Sequence, residues 1–464
     1  MAKGVFRVVQ SHGFVLGTSS LPRFTGATHV RILLVTPLYP PLHAGTFDYR
    51  AQAVADLLAA RGRQVRVLAS NHGLQSEQLD DEIERRMVIS GAYGYPKVTG
   101  LGPLEELEAF NHHVLKDAVT RFAPDAALVW SLSGLSKSLI FGLYRSRVPT
   151  VYGISDDWLV PGIQEDEWLR WWNAPGTNMG RAALELSGKR HRLDSVAPTR
   201  LTRGYDRMPE IYGAAALSGQ ASPNSAAGFR FDRVFFASQY LKDRAAAAGF
   251  PVADAPVLPA PILTHVYQGE VKPASVPMKK ALVVGPFTES RSLETTVAAV
   301  KELRSQGVEL SLTAYGKAES ALVASVRSMA LQHRLSVEFT APSDHARQLP
   351  QALRQHDLLI YPSDQPEGSC LLPMQAMACG LPVVGTRMGA AAEWLIHDQT
   401  ALVFTPGDAS HLAGQLMRLA KDPSLREKLA SAGQSRVLAE ANETTVLDRM
   451  EGLIEEARTL RQLQ

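Results

Sequence analysis

Residues 357–386, DLLIYPSDQPEGSCLLPMQAMACGLPVVGT, leave few ways for this chain to fold. Leu358 to Tyr361 are an unbroken apolar run, long enough for a strand buried on both faces and too short for a helix. Pro362, Ser363, Asp364, Pro366 and Gly368 punctuate a turn. Met374 to Cys379 are helix formers closed by Gly380, with Pro382 just beyond, and a second apolar run follows. Pro373 stands in the first helical turn, where its missing amide hydrogen is not needed. The unit is strand, loop, helix, strand, and its chemistry lies in the loop. There the Leu371 and Leu372 amides point out of a positive helix end, which suits an anion such as a diphosphate.

Composition bounds the rest. With 464 residues, 45% hydrophobic and 20% charged, the chain is too long for one ordinary core and too apolar for disorder, so two domains are expected. Lys and Arg total 48 against 46 Asp and Glu, a net +2 that argues against nucleic acid as a partner. The two cysteines, Cys370 and Cys379, form no metal-binding pattern and read as free thiols in a reducing compartment. No apolar run approaches the ~18 residues needed to span a bilayer. A cytoplasmic protein is expected, with peripheral contact at the inner membrane face left open. Residues 1–29 read as a loose extension and make a poor signal peptide.

From Val30 the pattern is regular. VRILLVT is a strand, YPPLHAGTF a turn-rich loop, Tyr49 to Arg61 an amphipathic helix ended by Gly62, and QVRVLAS a second strand. This βαβ order belongs to a parallel sheet, whose carboxyl edge binds ligands. Gly45, in the loop at that edge, is a candidate for close backbone approach to a ligand, with a turn glycine as the plain alternative. Ala126 to Trp130 and Thr150 to Ile154 are further strands. The second runs into Asp156 and Asp157, adjacent carboxylates suited to binding or deprotonating a hydroxyl, or else to capping a helix. Residues 162–228 break the rhythm: Trp168, Trp171 and Trp172 cluster beside acids, and a linker-like run follows. RVFF then leads into a helix that opens after Ser238. A proline-rich passage near 265–278 reads as the interdomain linker. The α/β alternation restarts with ALVVG, continues through helix 292–305 and the strand 308–314, and reaches the opening unit. The tail from Ala409 is helical almost throughout. The divisions expected are 30–270, 279–435 and a last helix over 436–464 that crosses back to the first domain.

Several segments in this order, YPPLHAG, the glycine of VVGPF, YPSDQPEGSCLLPMQAMACGLPVVGTRMGAAAEWL and ALVFTPGD, resemble the group 1 glycosyltransferases. The resemblance implies two facing Rossmann-like domains with a cleft between them, the GT-B type fold. It also implies a retaining, metal-independent enzyme with no cofactor, whose co-substrate is a nucleoside diphosphate sugar and whose acceptor is a glycan, a lipid-linked group or a small molecule. The family pattern has two glutamates separated by seven residues. The first is Glu367, which the resemblance places on the donor sugar together with the Gly368, Ser369 and Cys370 backbone. The second has become Gln375, which still hydrogen-bonds a ribose, without charge assistance.

Other positions depart from the family. Its Gly-Arg-Leu turn is Gly285-Pro286-Phe287, and its downstream Lys-Gly is Arg291-Ser292. The diphosphate would then rest on Arg291 and the helix end near Leu371, one cation short of the usual set. The usual histidines are replaced around Trp130 and at Ser155. Asp156, Asp157, Arg291 and Glu367 are the candidate catalytic residues. An alternative of another class is a catalytically degenerate scaffold that binds a nucleotide sugar or glycan. An epimerase or phosphorylase on the same architecture is a third reading.

Overall fold

The computed structural model describes residues 30–40, 46–72, 78–79, 82–173, 231–287, 292–342 and 345–463. The extension over 1–29, Gly45, Arg291 and the linker-like run before residue 231 lie outside the described residues. In the first half the strands are β1 (Arg31–Val35), β2 (Gln64–Ser70), β3 (Gln78–Leu79), β4 (Ile83–Met87), β5 (Ala126–Val129), β6 (Thr150–Ile154) and β7 (Arg233–Phe236). They form one sheet in the order β3-β4-β2-β1-β5-β6-β7. Among the described residues only the β3–β4 pairing is antiparallel. The second half supplies β8 (Lys280–Val284), β9 (Ser311–Tyr315), β10 (Val337–Thr340), β11 (Leu358–Tyr361), β12 (Val383–Gly385) and β13 (Leu402–Val403). These pair in parallel in the order β10-β9-β8-β11-β12-β13.

Strand alternation explains the apolar runs. Ile32 and Leu34 of β1 face Val54 and Leu58 of the helix Thr46–Ala60, while Leu33 and Val35 face Leu115 and Ala118 of the helix Leu101–Phe122. Both faces are covered, so polar residues have no place in the middle of β1. In each sheet the strand order reverses once, between β1 and β5 and between β8 and β11. Ligands of open α/β sheets bind at the carboxyl ends of strands at such reversals. The loops after β8 and β11 carry Gly285 and Glu367.

The last helix, Glu443–Gln462, leaves the second half and lies against the first sheet. Leu447, Met450 and Ile454 share a core with Ile32, Leu34 and Leu58. Arg61 and Arg63 each reach Glu451 at 2.7 Å, and Arg461 reaches Asp232 at 3.1 Å. The two chain crossings run side by side, with Ile262 N donating to Ala441 O at 2.7 Å and Thr264 Oγ1 to Glu443 Oε1 at 2.8 Å.

The structure differs from the sequence reading in several places. β4 and the helix Leu101–Phe122 have no counterpart in it, because their buried positions hold polar residues that erase the apolar period. Glu84 of β4 is 1% exposed and paired with Arg121 at 2.7 Å. Glu105, Glu108, Asn111 and His112 are all buried on the helix. The donor-loop helix runs over Leu371–Ala378, starting earlier than its helix formers do. The irregular passage opens with two short helices, Val160–Glu165 and Glu167–Asn173. Both cysteines are free and buried. Among the described residues no helix is long and apolar enough to cross a membrane.

Candidate functional site

The carboxyl ends of β8 and β11 enclose a cavity of about 360 Å³, lined in part by Gly285, Pro286, Tyr361, Glu367, Leu371 and Gln375. Gly285 is required by packing: a Cβ there would come within 2.7 Å of the Phe287 ring. Phe287 is held in turn by its amide, which donates to Lys317 O at 2.8 Å. The tight turn therefore folds Phe287 inward beneath the cavity, where it is 2% exposed.

On the other side stands the helix Leu371–Ala378, with Cys370 at its N-cap and no side chain bonded to its first amides. The Leu371 and Leu372 amides have no acceptor within the helix, which is what its first turn dictates. Gln375 is 6% exposed, lines the cavity and lies next to the Tyr267 hydroxyl. The loop is fixed by its backbone: Ala390 N donates to Glu367 O at 2.9 Å, beside Gly389, whose φ of 57° suits a residue without Cβ. The Glu367 residue is open to solvent, but its carboxyl sits among protein atoms. Desolvation there pushes it above the usual carboxylate range, against the pull of the neighbouring Tyr361 and Ser363 hydroxyls. The Ser363 hydroxyl approaches Glu367 Oε1 at 3.3 Å.

The first domain holds two adjacent carboxylates just after β6. Asp156 follows β6, accepts from Ser131 Oγ at 2.8 Å and, through its other oxygen, from Trp158 N at 2.9 Å. Burial raises its carboxyl above the ordinary range; these bonds and the Arg50 and Lys137 charges act the other way. The capping alternative thus describes one oxygen of Asp156 and leaves the other with serine hydroxyls. Asp157 is exposed and forms an ion pair with Arg244. Its neighbour on the sequence reading, Ser155, is buried.

Hydrogen bonds among the described residues tie the domains across the cleft. Ser238 Oγ accepts from Leu241 N at 3.2 Å, capping the helix Gln239–Ala247, and donates to Gly368 O at 2.8 Å. Tyr240 N donates to Glu393 Oε1 at 3.0 Å. Arg50 Nη1 donates to Ser369 Oγ at 3.2 Å, just ahead of the Leu371 helix end. Arg50 was not singled out from the sequence, although one signal was available. A cation in the second turn of the helix Thr46–Ala60 opposes the positive helix end there, so its reason had to lie elsewhere. Glu367, Gly368, Ser369, Cys370, Leu371, Leu372, Gln375 and Gly285 are brought together, with Asp156 and Asp157 on the facing domain. Among the described residues no group of His, Cys, Asp and Glu is arranged to hold a metal ion.

Residues 270–436 match the family model described as "Glycosyl transferases group 1". Over that stretch the chain is similar to that family. Glycogen synthase of Mycobacterium tuberculosis is 24% identical over 433 residues, covering 90% of this chain and 92% of that one. Among solved structures, sucrose-phosphate synthase from Thermosynechococcus elongatus superposes with a TM-score of 0.60 at 17% identity, over 94% of this chain and 100% of its own. Anabaena Alr3699/HepE in complex with UDP-glucose gives 0.58 at 16%, over 92% and 100%. These likenesses show the fold: two Rossmann-like domains of the GT-B type. In this chain the glutamate expected on the donor side is present at Glu367, and the second glutamate position is the buried Gln375.

Proposed function

We propose that this protein is a glycosyltransferase that moves a sugar from a nucleoside diphosphate sugar to an acceptor hydroxyl with retention at the anomeric carbon, using neither a metal nor another cofactor. The observation that carries the reading is the cavity at the β8 and β11 ends, which sets Glu367, Gln375 and the Leu371 helix end around one space. The Leu371 and Leu372 amides, with Arg291, receive the departing diphosphate. Arg50, delivered from the facing domain, adds a cation where the family's turn arginine has become Pro286. Glu367 orients the sugar and Gln375 the ribose. Asp156, whose carboxyl is raised by burial, and Asp157 meet the acceptor hydroxyl, which attacks on the face the diphosphate leaves. Preorganised stabilisation of the leaving charge is the main catalytic contribution, each good donor being worth on the order of 10² to 10³ in rate. The UDP-glucose bound to HepE supports a UDP-sugar donor, and the glycogen synthase relative supports a glycan acceptor. The reaction belongs where nucleotide sugars are made, in the cytoplasm.

A panel of nucleotide sugars tests this, with nucleoside diphosphate release followed over time and the anomeric configuration of the product read by NMR. Arg50→Met and Glu367→Ala are expected to lower turnover, each by on the order of 10². The uncharged Gln375 favours one second reading, a donor-binding scaffold. It is the correct one if thermal shifts show nucleotide-sugar binding while neither hydrolysis nor transfer occurs.

A further inference from the structure

The Gly368–Ser369 peptide of the donor loop is gripped by the first domain at both ends. Ser238 Oγ donates to Gly368 O at 2.8 Å, and Arg50 Nη1 donates to Ser369 Oγ at 3.2 Å. Gly368 admits this approach because it lacks a Cβ, which would come within 3.1 Å of the Leu241 side chain. We infer that Ser238 is a positioning residue of the donor site: by holding the Gly368 carbonyl, it aims the Ser369 amide at the leaving diphosphate. The inference rests on the donor reading proposed above and names a residue of the other domain that completes it.

A trans peptide is planar, with its carbonyl oxygen and its amide hydrogen on opposite sides. The Gly368 carbonyl points at the first domain, so the Ser369 amide hydrogen points back toward the second, where Glu367 and Leu371 line the donor cavity. Ser369 stands between Glu367, on the sugar, and Leu371, on the diphosphate, so its amide meets the phosphate that bears the sugar. Among the described residues no protein group accepts from the Ser369 amide or from the Cys370 amide beside it. With Leu371 and Leu372 they form an unbroken run of amides free to meet an anion. The Ser238 hydroxyl has one hydrogen and two lone pairs. It accepts from Leu241 N at 3.2 Å as the cap of the helix Gln239–Ala247, which leaves its only hydrogen for Gly368 O. Ser238 is 1% exposed, so water does not compete for that hydrogen. Its backbone is fixed at the end of β7, where Ala237 N donates to Ile154 O at 2.9 Å. The Gly368 carbonyl also lies at the positive end of a helix, and a carbonyl so polarised makes the amide on the other side of its peptide a stronger donor.

Capping alone does not account for the second bond. A helix cap needs an acceptor, and Asp or Asn serves as well as Ser; holding a carbonyl needs a donor as well. The two roles separate by substitution. Glycine keeps most of the capping energy and has no side-chain hydrogen to give. Threonine keeps both groups and suits the extended backbone of Ser238, whose φ is −155° and ψ 156°. Aspartate keeps the acceptor and, when ionised, has no hydrogen.

Isothermal titration on the full chain tests this with pairs of probes: UDP and UMP, ADP and AMP, GDP and GMP. In the pair that binds, the ratio of the two affinities reports the contribution of the second phosphate. Ser238→Gly is expected to lower the diphosphate affinity by about tenfold and to leave the monophosphate within about twofold. Ser238→Thr should keep the ratio within about threefold of the unaltered chain's. Loss of a cap moves both nucleotides together or neither, so an unchanged ratio in folded Ser238→Gly overturns the inference. So does a Ser238→Thr protein with the same loss as Ser238→Gly. Where Ser238→Gly does not fold, Ser238→Asp takes its place, and an unchanged ratio there overturns the inference instead. An unaltered chain that binds none of the diphosphates more tightly than its monophosphate rejects the donor reading, and the inference with it. A clear preference for the diphosphate that survives loss of the Ser238 hydroxyl rejects the inference alone.

Discussion

Glu108 shows how a single residue couples burial to pH. Its carboxyl lies near 8 in the folded chain, above its ordinary value of 4.5, so the folded state binds a proton that the unfolded state has released between those limits. The stability this group contributes is fully present below its unfolded value and is lost as pH rises through about 8. The melting temperature should therefore fall by a few degrees between neutral and mildly alkaline pH, and Glu108→Gln should flatten that fall. Thermal scans of both proteins across the range check it. Glu367 and Gln375, which line one cavity, could be singled out in the sequence because the pattern that marks them is local spacing. The parts that Arg50 and Ser238 play could not. Arg50 is defined by a contact with Ser369, 319 residues away, and Ser238, legible only as a helix cap, by one with Gly368, 130 residues away.

At the scale of elements, legibility followed the apolar period. β2, β6 and β11 occupy the residues their patterns mark, since each carries an uninterrupted or nearly uninterrupted run. The helix Leu101–Phe122 could not be read that way, because Asn111 spends both ends of its amide on the Val88 backbone at 2.8 Å. A buried asparagine so satisfied costs the fold little, yet it looks like a surface residue in a pattern. The final helix is the opposite case: plain to read as a helix, silent about its destination. Leu447 is fully buried against the first sheet. Leu447→Ala should destabilise by about 2–5 kcal/mol, measured by chemical denaturation followed through a first-domain signal.

At the scale of the whole molecule, two sheets with facing reversals could be expected from the repeated α/β alternation, whereas the contacts that set them against each other could not. Among the described residues those contacts include hydrogen bonds between positions far apart in the chain. Glu393→Ala removes the acceptor of the Tyr240 amide without disturbing the Ser238 cap. A hydrogen bond to a charged group contributes about 1.5 kcal/mol or more, so donor affinity should fall roughly tenfold. Titration with the nucleotide sugar checks this, and an unchanged affinity would remove Glu393 from the account of closure. The side-by-side crossings at Ile262 and Ala441 have a different consequence, one that concerns the order of synthesis. The first sheet leaves the ribosome early, but the helix that covers Ile32, Leu34 and Leu58 is made only after the whole second domain. The domain begun first is thus completed last. A chimera that exchanges it with a relative's has to carry two pieces of chain, the strands and the distant helix, to bring over one core.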